Sequence, residues 1–350
     1  MKYCPICDSY TEQFKYLNCE GFDDSYLYKD ILIRKCRRCG HLFNELTDIE
    51  IKNLSKYYKY EYAPSNLSIK DTIGDRPGSD TPSNIKRYEQ LYYFISTRIT
   101  KDSKILDIGC AIGGFLNFLS KKGYKNLYGI EPIEAYVNKA KENKDLVIKK
   151  GSVYYNPFED NSFDVVILDQ VLEHLSNLKL AMKQIKRVLK KGGLCYIGVP
   201  DAERYNDNIY WYIMREHIQH FKDINLKLLA ESNGFELINS NKTESKMIGT
   251  LNLPNLSVLL KVSGKVYCWG IGREFMYYYN NTRLWNLDLI LVDDTPQKQK
   301  QTFKGMKIHS SDILKEADKD SFLIITTNPH RELLRIKAFK LGYKGEIIYV

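Results

Sequence analysis

The sequence predicts an α/β fold: a parallel sheet covered by helices on both faces, a cysteine-rich module before it and a smaller α/β unit after it. Three observations carry this. Between residues 104 and 199, short apolar runs alternate with amphipathic stretches, the pattern of strands joined by crossover helices. The alternation recurs on a smaller scale from Gly264 to Val350. Four of the eight cysteines stand in two close pairs near the N-terminus, and the others are scattered. A chain of 350 residues is long for one core, and about 100–200 residues per domain gives two or three units. The expected boundaries are 1–62, 80–250 and 262–350, with a Pro/Gly/Ser/Asp-rich linker from Ala63 to Asp80.

The composition, 43% hydrophobic and 27% charged, is that of an ordinary globular protein. No apolar run reaches the roughly 18–20 residues that span a bilayer. The start, Met1-Lys2-Tyr3-Cys4-Pro5, has no apolar signal core, so the expected location is cytoplasmic. The formal charge of +9 comes from lysines spread along the whole chain, which reads as solvated faces rather than a nucleic-acid-binding tail.

Cys4-Pro5-Ile6-Cys7 and Cys36-Arg37-Arg38-Cys39 lie 28 residues apart. Each Cys-x-x-Cys loop aims two thiolates at one point, and two loops complete a tetrahedral site. Gly40 suits the tight turn after the second pair, and Arg37 and Arg38 favour thiolates. The pattern predicts a structural zinc ion held by Cys4, Cys7, Cys36 and Cys39, in preference to a redox pair. Four protein ligands leave no open position for catalysis, so the metal folds a segment too small to bury its own core.

The second unit begins with an amphipathic helix near Asn84–Thr97. Strands are expected at Lys104–Ile108, Leu127–Ile130, Val147–Lys149, Asp164–Leu168 and Leu194–Val199. Helices are expected at Gly114–Lys122, Glu134–Asn143, Asn177–Leu189 and Asn225–Asn233. The first strand runs into Asp107-Ile108-Gly109-Cys110-Ala111-Ile112-Gly113-Gly114, a small-residue turn that lets backbone pass close to a ligand before a helix begins. The second strand ends in Glu131, placed to accept both hydroxyls of a ribose.

This stretch resembles motif I of the class I S-adenosylmethionine-dependent methyltransferases, with Ala111 in place of the usual middle glycine. The resemblance continues in order from about Ile85 to Ile238. Tyr128-Gly129-Ile130-Glu131-Pro132 is similar to the acidic ribose motif. Gly151-Ser152, followed by Asn156 to Asp164, is similar to the adenine-side loop and fourth strand. Asp169-Gln170-Val171-Leu172-Glu173-His174-Leu175 is similar to the segment lining the methyl-transfer site, and Arg187 to Gly193 to the turn before strand five. It implies a Rossmann-like core with S-adenosylmethionine as cofactor. Asp107, Gly109, Ala111 and Gly113 would shape the methionine end. Glu131 and Pro132 would lie at the ribose, Ser152 and Val153 at the adenine, and Asp169 and Gln170 near the methyl group.

After the fifth strand, Asp201 to Phe221 holds a run of Tyr and Trp with His217 and His220, beyond the end of the sheet where ligands bind. Three apart, the two histidines could share a helical face. A base working near pH 7 is most simply His, which makes His174, His217 and His220 the candidates.

The third unit places strands at Lys265–Trp269, Asp288–Val292, Lys307–His309, Phe322–Thr326 and Glu346–Tyr349, and a helix at Arg331–Lys340. Gly270-Ile271-Gly272 opens a second glycine turn, but Phe275 stands where a dinucleotide fingerprint has its third glycine. The three-part order resembles the sugar C-methyltransferases, which act on nucleotide-linked keto-deoxysugars with a His/Glu/Tyr set. That resemblance implies catalytic roles for His217, Glu216 and Tyr212, with His174 nearby. It also implies a small-molecule acceptor, a nucleotide-linked sugar methylated on carbon or oxygen in surface-polysaccharide or deoxysugar biosynthesis. Two alternatives stand beside it. A zinc-containing RNA methyltransferase fits the zinc and the charge, but the chain lacks an Asn-Pro-Pro-Tyr motif and a Pro-Cys nucleophile, and its charge is diffuse. A non-catalytic scaffold that binds the cofactor is the other.

Overall fold

The structure is a computed structural model that describes residues 3–18, 30–58, 60, 78–205, 212–246 and 252–350. Most of the expected linker, and Asn206 to Trp211 of the aromatic run, lie outside the described residues. The chain divides into two compact units, Met1–Leu229 with Leu237–Lys261, and Ala230–Glu236 with Val262–Val350.

In the first unit, β1 (Thr11–Leu17), β2 (Ile31–Cys36) and β3 (Leu42–Asn44) form an antiparallel sheet. Leu17, Ile31, Ile33 and Leu42 pack with Ile213 into a small core. Helix α1 (Asp48–Tyr57) starts at a reciprocal cap, in which Thr47 and Glu50 each accept the other's backbone N–H. Helix α2 (Pro82–Ile95) is capped by Thr81 and buries Tyr88, Leu91 and Ile95, one apolar stripe at helical spacing.

The central sheet then builds from β4 (Ile105–Ile108), α3 (Gly114–Lys121), β5 (Leu127–Glu131), α4 (Glu134–Ala140), β6 (Leu146–Lys150), β7 (Phe163–Asp169), α5 (Leu178–Val188) and β8 (Leu189–Pro200). These five strands are parallel. Every strand and helix expected in this stretch is present, displaced at most by a few residues; β8 starts early because α5 runs straight into it. The short β9 (Gln219–His220) joins β3, helix α6 (Asp223–Glu231) follows, and β10 (Phe235–Lys246) and β11 (Asn252–Val262) complete the sheet in the order β10-β11-β8-β7-β4-β5-β6. Strand β11 runs antiparallel to β8. Val165 and Ile167 of β7 belong to the core that holds α2 and α3. Their alternates Val166 and Leu168 are equally buried, so both faces of the sheet are covered. The strand order reverses between β4 and β7, which opens a crevice at their C-terminal ends.

The second unit contains β12 (Val266–Trp269), α7 (Arg273–Asn281), β13 (Leu289–Val292), α8 (Pro296–Gln299), β14 (Thr302–Phe303), β15 (Met306–His309), β16 (Phe322–Ile325), α9 (Arg331–Lys340) and β17 (Glu346–Tyr349). The order is β14-β15-β13-β12-β16-β17, parallel except for the β14–β15 hairpin. Cys268, Leu291 and Ile324 pack on one face, Trp269, Val292 and Ile325 on the other.

Candidate active site

The two Cys-x-x-Cys loops have one geometry. Cys4 N–H donates to the Ser9 carbonyl and Asp8 N–H to the Cys4 carbonyl; in the second loop Cys36 N–H donates to the His41 carbonyl and Gly40 N–H to the Cys36 carbonyl. Asp8 (φ 55°) and Gly40 (φ 70°) both take the left-handed turn that follows the second cysteine. The loops bring the four sulfurs within 4.8 Å of one another, with Cys4 to Cys39 at 3.6 Å and Cys7 to Cys36 at 3.5 Å. Backbone N–H groups of Ile6, Arg38 and Cys39 point at the sulfurs, as anionic thiolates require.

At the C-terminal end of β4 the chain turns through Gly109 (φ 77°), Ala111 (φ 47°) and Gly113 (φ 80°). A side chain at Gly109 would meet Val171 Cγ2 at 2.7 Å, so a small residue is required there. Ala111 accepts a left-handed conformation that L-residues resist, and its N–H donates to Glu131 Oε2 at 3.1 Å. Glu131 Oε1 accepts from Ile133 N–H at 3.0 Å, so the carboxylate latches the turn while each oxygen keeps lone-pair capacity for a ligand. Burial pushes Glu131 up to about 7, against the pull of those two N–H groups. Asp107 is pushed to about 8 by burial and then by the neighbouring Asp169 and Glu131. Asp169 pairs with Arg87 of α2 at 3.1 Å, and Gln170 (φ 58°) turns its amide toward Asn255 at 3.5 Å. Pro132 is exposed, Ser152 is half-buried and accepts from Tyr155 N–H, and Val153 is buried. The crevice thus gathers three carboxyl groups, complementary to a ligand carrying hydroxyls and positive charge.

Beyond β7, the structure brings His174 and His217 edge to face with ring centroids 4.8 Å apart. His174 Nδ1 donates to the Glu216 carbonyl at 2.9 Å and lies 2.8 Å from the Tyr58 hydroxyl. Glu216 therefore supports the pair through its backbone, while its buried Oε2 has no partner among the described residues. Burial holds both rings neutral: His174 is lowered to about 4, and His217 falls well below the imidazole range, with His174 and His220 adding to the effect. Tyr212 stacks on Tyr205 at 4.8 Å. His220 does not share a helical face with His217: Gln219 and His220 form β9, and His220 Nε2 donates to Asn44 Oδ1 at 2.9 Å.

Residues 83–240 match the family described as Methyltransferase domain. The matched segment holds the glycine turn and the Glu131 latch, and it supports a methyltransferase that uses S-adenosylmethionine. The chain is 32% identical over 146 residues to an uncharacterised methyltransferase of Schizosaccharomyces pombe, covering 37% of this chain and 49% of the relative. It is 32% identical over 124 residues to a sterol 24-C-methyltransferase of the same yeast, covering 33% and 32%. An uncharacterised protein of Methanocaldococcus jannaschii is 33% identical over 144 residues, covering 40% and 58%. The chain thus spans between about a third and three fifths of these relatives' own lengths.

Two kinds of residue around His174 and His217 carry no signal of their position in the sequence. One is Asn44 on β3, whose side-chain amide donates to the Met214 and His217 carbonyls at 3.0 Å each. The N-terminal sheet therefore fixes the segment that carries His217, aided by Gln219, which accepts from His41 and donates to the Leu175 carbonyl. The other is Glu173, fully buried beside His174 and pushed up to about 8 by burial. Among the described residues, no helix is long and apolar enough to cross a membrane. In the second unit, the glycine turn closes on itself: Ile271 N–H donates to Asp293, which also pairs with Lys298.

Proposed function

We propose that the protein is an S-adenosylmethionine-dependent methyltransferase acting on a small molecule, a nucleotide-linked sugar, by C-methylation of a keto-sugar or by O-methylation, in surface-polysaccharide or deoxysugar biosynthesis. The observation that carries the reading is the half-buried, edge-to-face His174–His217 pair near the crevice that starts at Gly109 and Glu131. One relative is named a carbon methyltransferase, which agrees with the first chemistry.

The donor, when bound, supplies an electrophilic methyl group. Asp107, Gly109, Ala111 and Gly113 would hold its methionine end, Glu131 with Pro132 its ribose, Ser152 and Val153 its adenine, and Asp169 and Gln170 the approach to the methyl. His217 removes the acceptor's proton, with His174, Glu216 and Tyr212 shaping the site, and positioning supplies much of the rate. In a keto-sugar the proton leaves the carbon beside the carbonyl, and the resulting enolate needs a hydrogen-bond donor or cation. Cys4, Cys7, Cys36 and Cys39 would hold a structural zinc ion, for which four converging sulfurs under backbone N–H groups are the fitting donor set. The reading treats residues 1–62 as a zinc module, 80–250 as the catalytic domain and 262–350 as a Rossmann-like unit, located in the cytoplasm. The strand reversal between β12 and β16 supports the last assignment.

Deuterium exchange separates the chemistries. Given keto-sugar, S-adenosylhomocysteine and heavy water, the enzyme is expected to exchange the acidic C–H, and His217→Gln to abolish the exchange. Turnover without exchange moves the reading to O-methylation, and full activity in both His217→Gln and His174→Gln removes the base from it.

A further inference from the structure

We propose that Glu173, His174 and His217 form a divalent-cation site of the transition-metal class, separate from the four cysteines, and that filling it takes His217 out of proton transfer. The second half rests on the reading of His217 as base; the first does not.

The donor atoms of the three residues lie within 4.8 Å of one another. Glu173 is completely buried, and neither of its carboxylate oxygens has a partner among the described residues. A buried carboxylate needs a proton or a cation beside it. The tautomer of His174 indicates which atom faces it. A carbonyl can only accept, so Nδ1 carries the proton that goes to Glu216, and Nε2 keeps its lone pair. Nε2 is the atom 3.9 Å from Glu173 Oε1. Two acceptors face each other at a separation too long for a shared proton. Ligand bonds of about 2.0–2.2 Å allow two donors of one ion to stand up to about 4.2 Å apart.

The surroundings fit the same ligand. An imidazole that donates its other N–H to a carbonyl is the usual support of a metal-binding histidine. His217 Nδ1 is buried and without a partner among the described residues. Two imidazoles and one carboxylate suit zinc, iron or nickel rather than calcium or magnesium, and they leave positions open. His174 and His217 are only half-buried as residues, which gives an ion a way in. An ion on His217 occupies the lone pair that proton removal uses, so metal and acceptor proton compete for one atom.

The test uses the full chain under reducing conditions. Equilibrium dialysis against Zn²⁺ should count one ion fewer per chain in Glu173→Gln than in the unmutated protein, and the same loss in His217→Gln. Gln matches Glu in shape and removes the buried charge, so Glu173→Gln should fold, as its melting temperature will show. With Co²⁺, both variants should lose ligand-field bands while any thiolate-to-cobalt charge-transfer band from the cysteines stays. Added Zn²⁺ should suppress the deuterium exchange, and Glu173→Gln should need about tenfold more zinc for the same suppression. Equal metal counts and equal cobalt spectra in all three proteins overturn the site and leave a protonated Glu173. Zinc bound at the triad with undiminished exchange overturns the competition while the site stands. Turnover without exchange moves the proposed function to O-methylation, where added Zn²⁺ should slow turnover through the same His217, and leaves the metal count to decide the site.

Discussion

Replacing Glu131 with Ala should weaken binding of S-adenosylhomocysteine by about 1.5–3 kcal/mol, roughly 10- to 150-fold, because hydrogen bonds from two ribose hydroxyls to a charged group are lost. The structure adds a second cost, since Glu131 also receives the N–H groups of Ala111 and Ile133 and so holds the glycine turn proposed to carry the methionine end. It also predicts a pH dependence. Burial raises the carboxyl to about 7 in the ligand-free chain. Only the ionised form offers both oxygens as acceptors, so affinity should rise with pH. Between pH 6 and 8 the ionised fraction goes from about one tenth to about nine tenths, a gain of about tenfold in affinity from this group. The sign for folding is opposite. A carboxyl raised from 4.5 contributes its full stabilisation below that pH and loses it as pH rises through about 7. Isothermal calorimetry across this range checks the affinity slope, and melting temperatures at the same pH values check the stability. Glu131→Gln should bind weakly with the tenfold slope removed. Unchanged affinity in Glu131→Ala, or an unchanged slope in Glu131→Gln, refutes the placement of the ribose.

Three further outcomes follow from particular contacts. Cys36→Ser should unfold the N-terminal sheet and abolish the zinc proposed at the four thiols, read by elemental analysis and by proteolysis of that segment; full zinc content in the variant contradicts the ligand set. Asn44→Ala removes two hydrogen bonds to the His217 segment and strips His220 of its partner. It should cost about 1–3 kcal/mol of stability and lower kcat with donor affinity intact, whereas unchanged kcat would show that β3 does not position the base. Ala111→Gly relieves the left-handed alanine (φ 47°) and should raise stability by up to about 1 kcal/mol, visible as a higher Tm.

The parallel strands β4 to β8 were legible because each is an apolar run that ends in a chemically distinctive turn, as Ile105–Ile108 does at Asp107 and Gly109. The convergence of the four cysteines was legible because Cys-x-x-Cys spacing is local. The pairing of Phe43 with Gln219 was not, since it joins segments far apart in sequence through a strand of two residues. Strand β10 carries no such signal either: it is an edge strand whose Asn-Ser-Asn-Lys-Thr-Glu stretch is polar and largely exposed, with no apolar alternation to announce it. The roles of Asn44 and Glu173 depend on burial. In the sequence they are single polar residues next to better-known motifs, and only the packing shows Glu173 without a partner and Asn44 holding two carbonyls.

The proposed reaction is methyl transfer from S-adenosylmethionine to a nucleotide-linked sugar. Mass spectrometry of nucleotide-sugar pools incubated with the purified protein and donor carrying an isotopically labelled methyl group tests it most directly. One labelled methyl on a nucleotide-linked sugar is expected, with loss of the label in Glu131→Ala. Label that appears only in RNA added to a parallel reaction, or donor that binds and is never turned over with any pool, contradicts it.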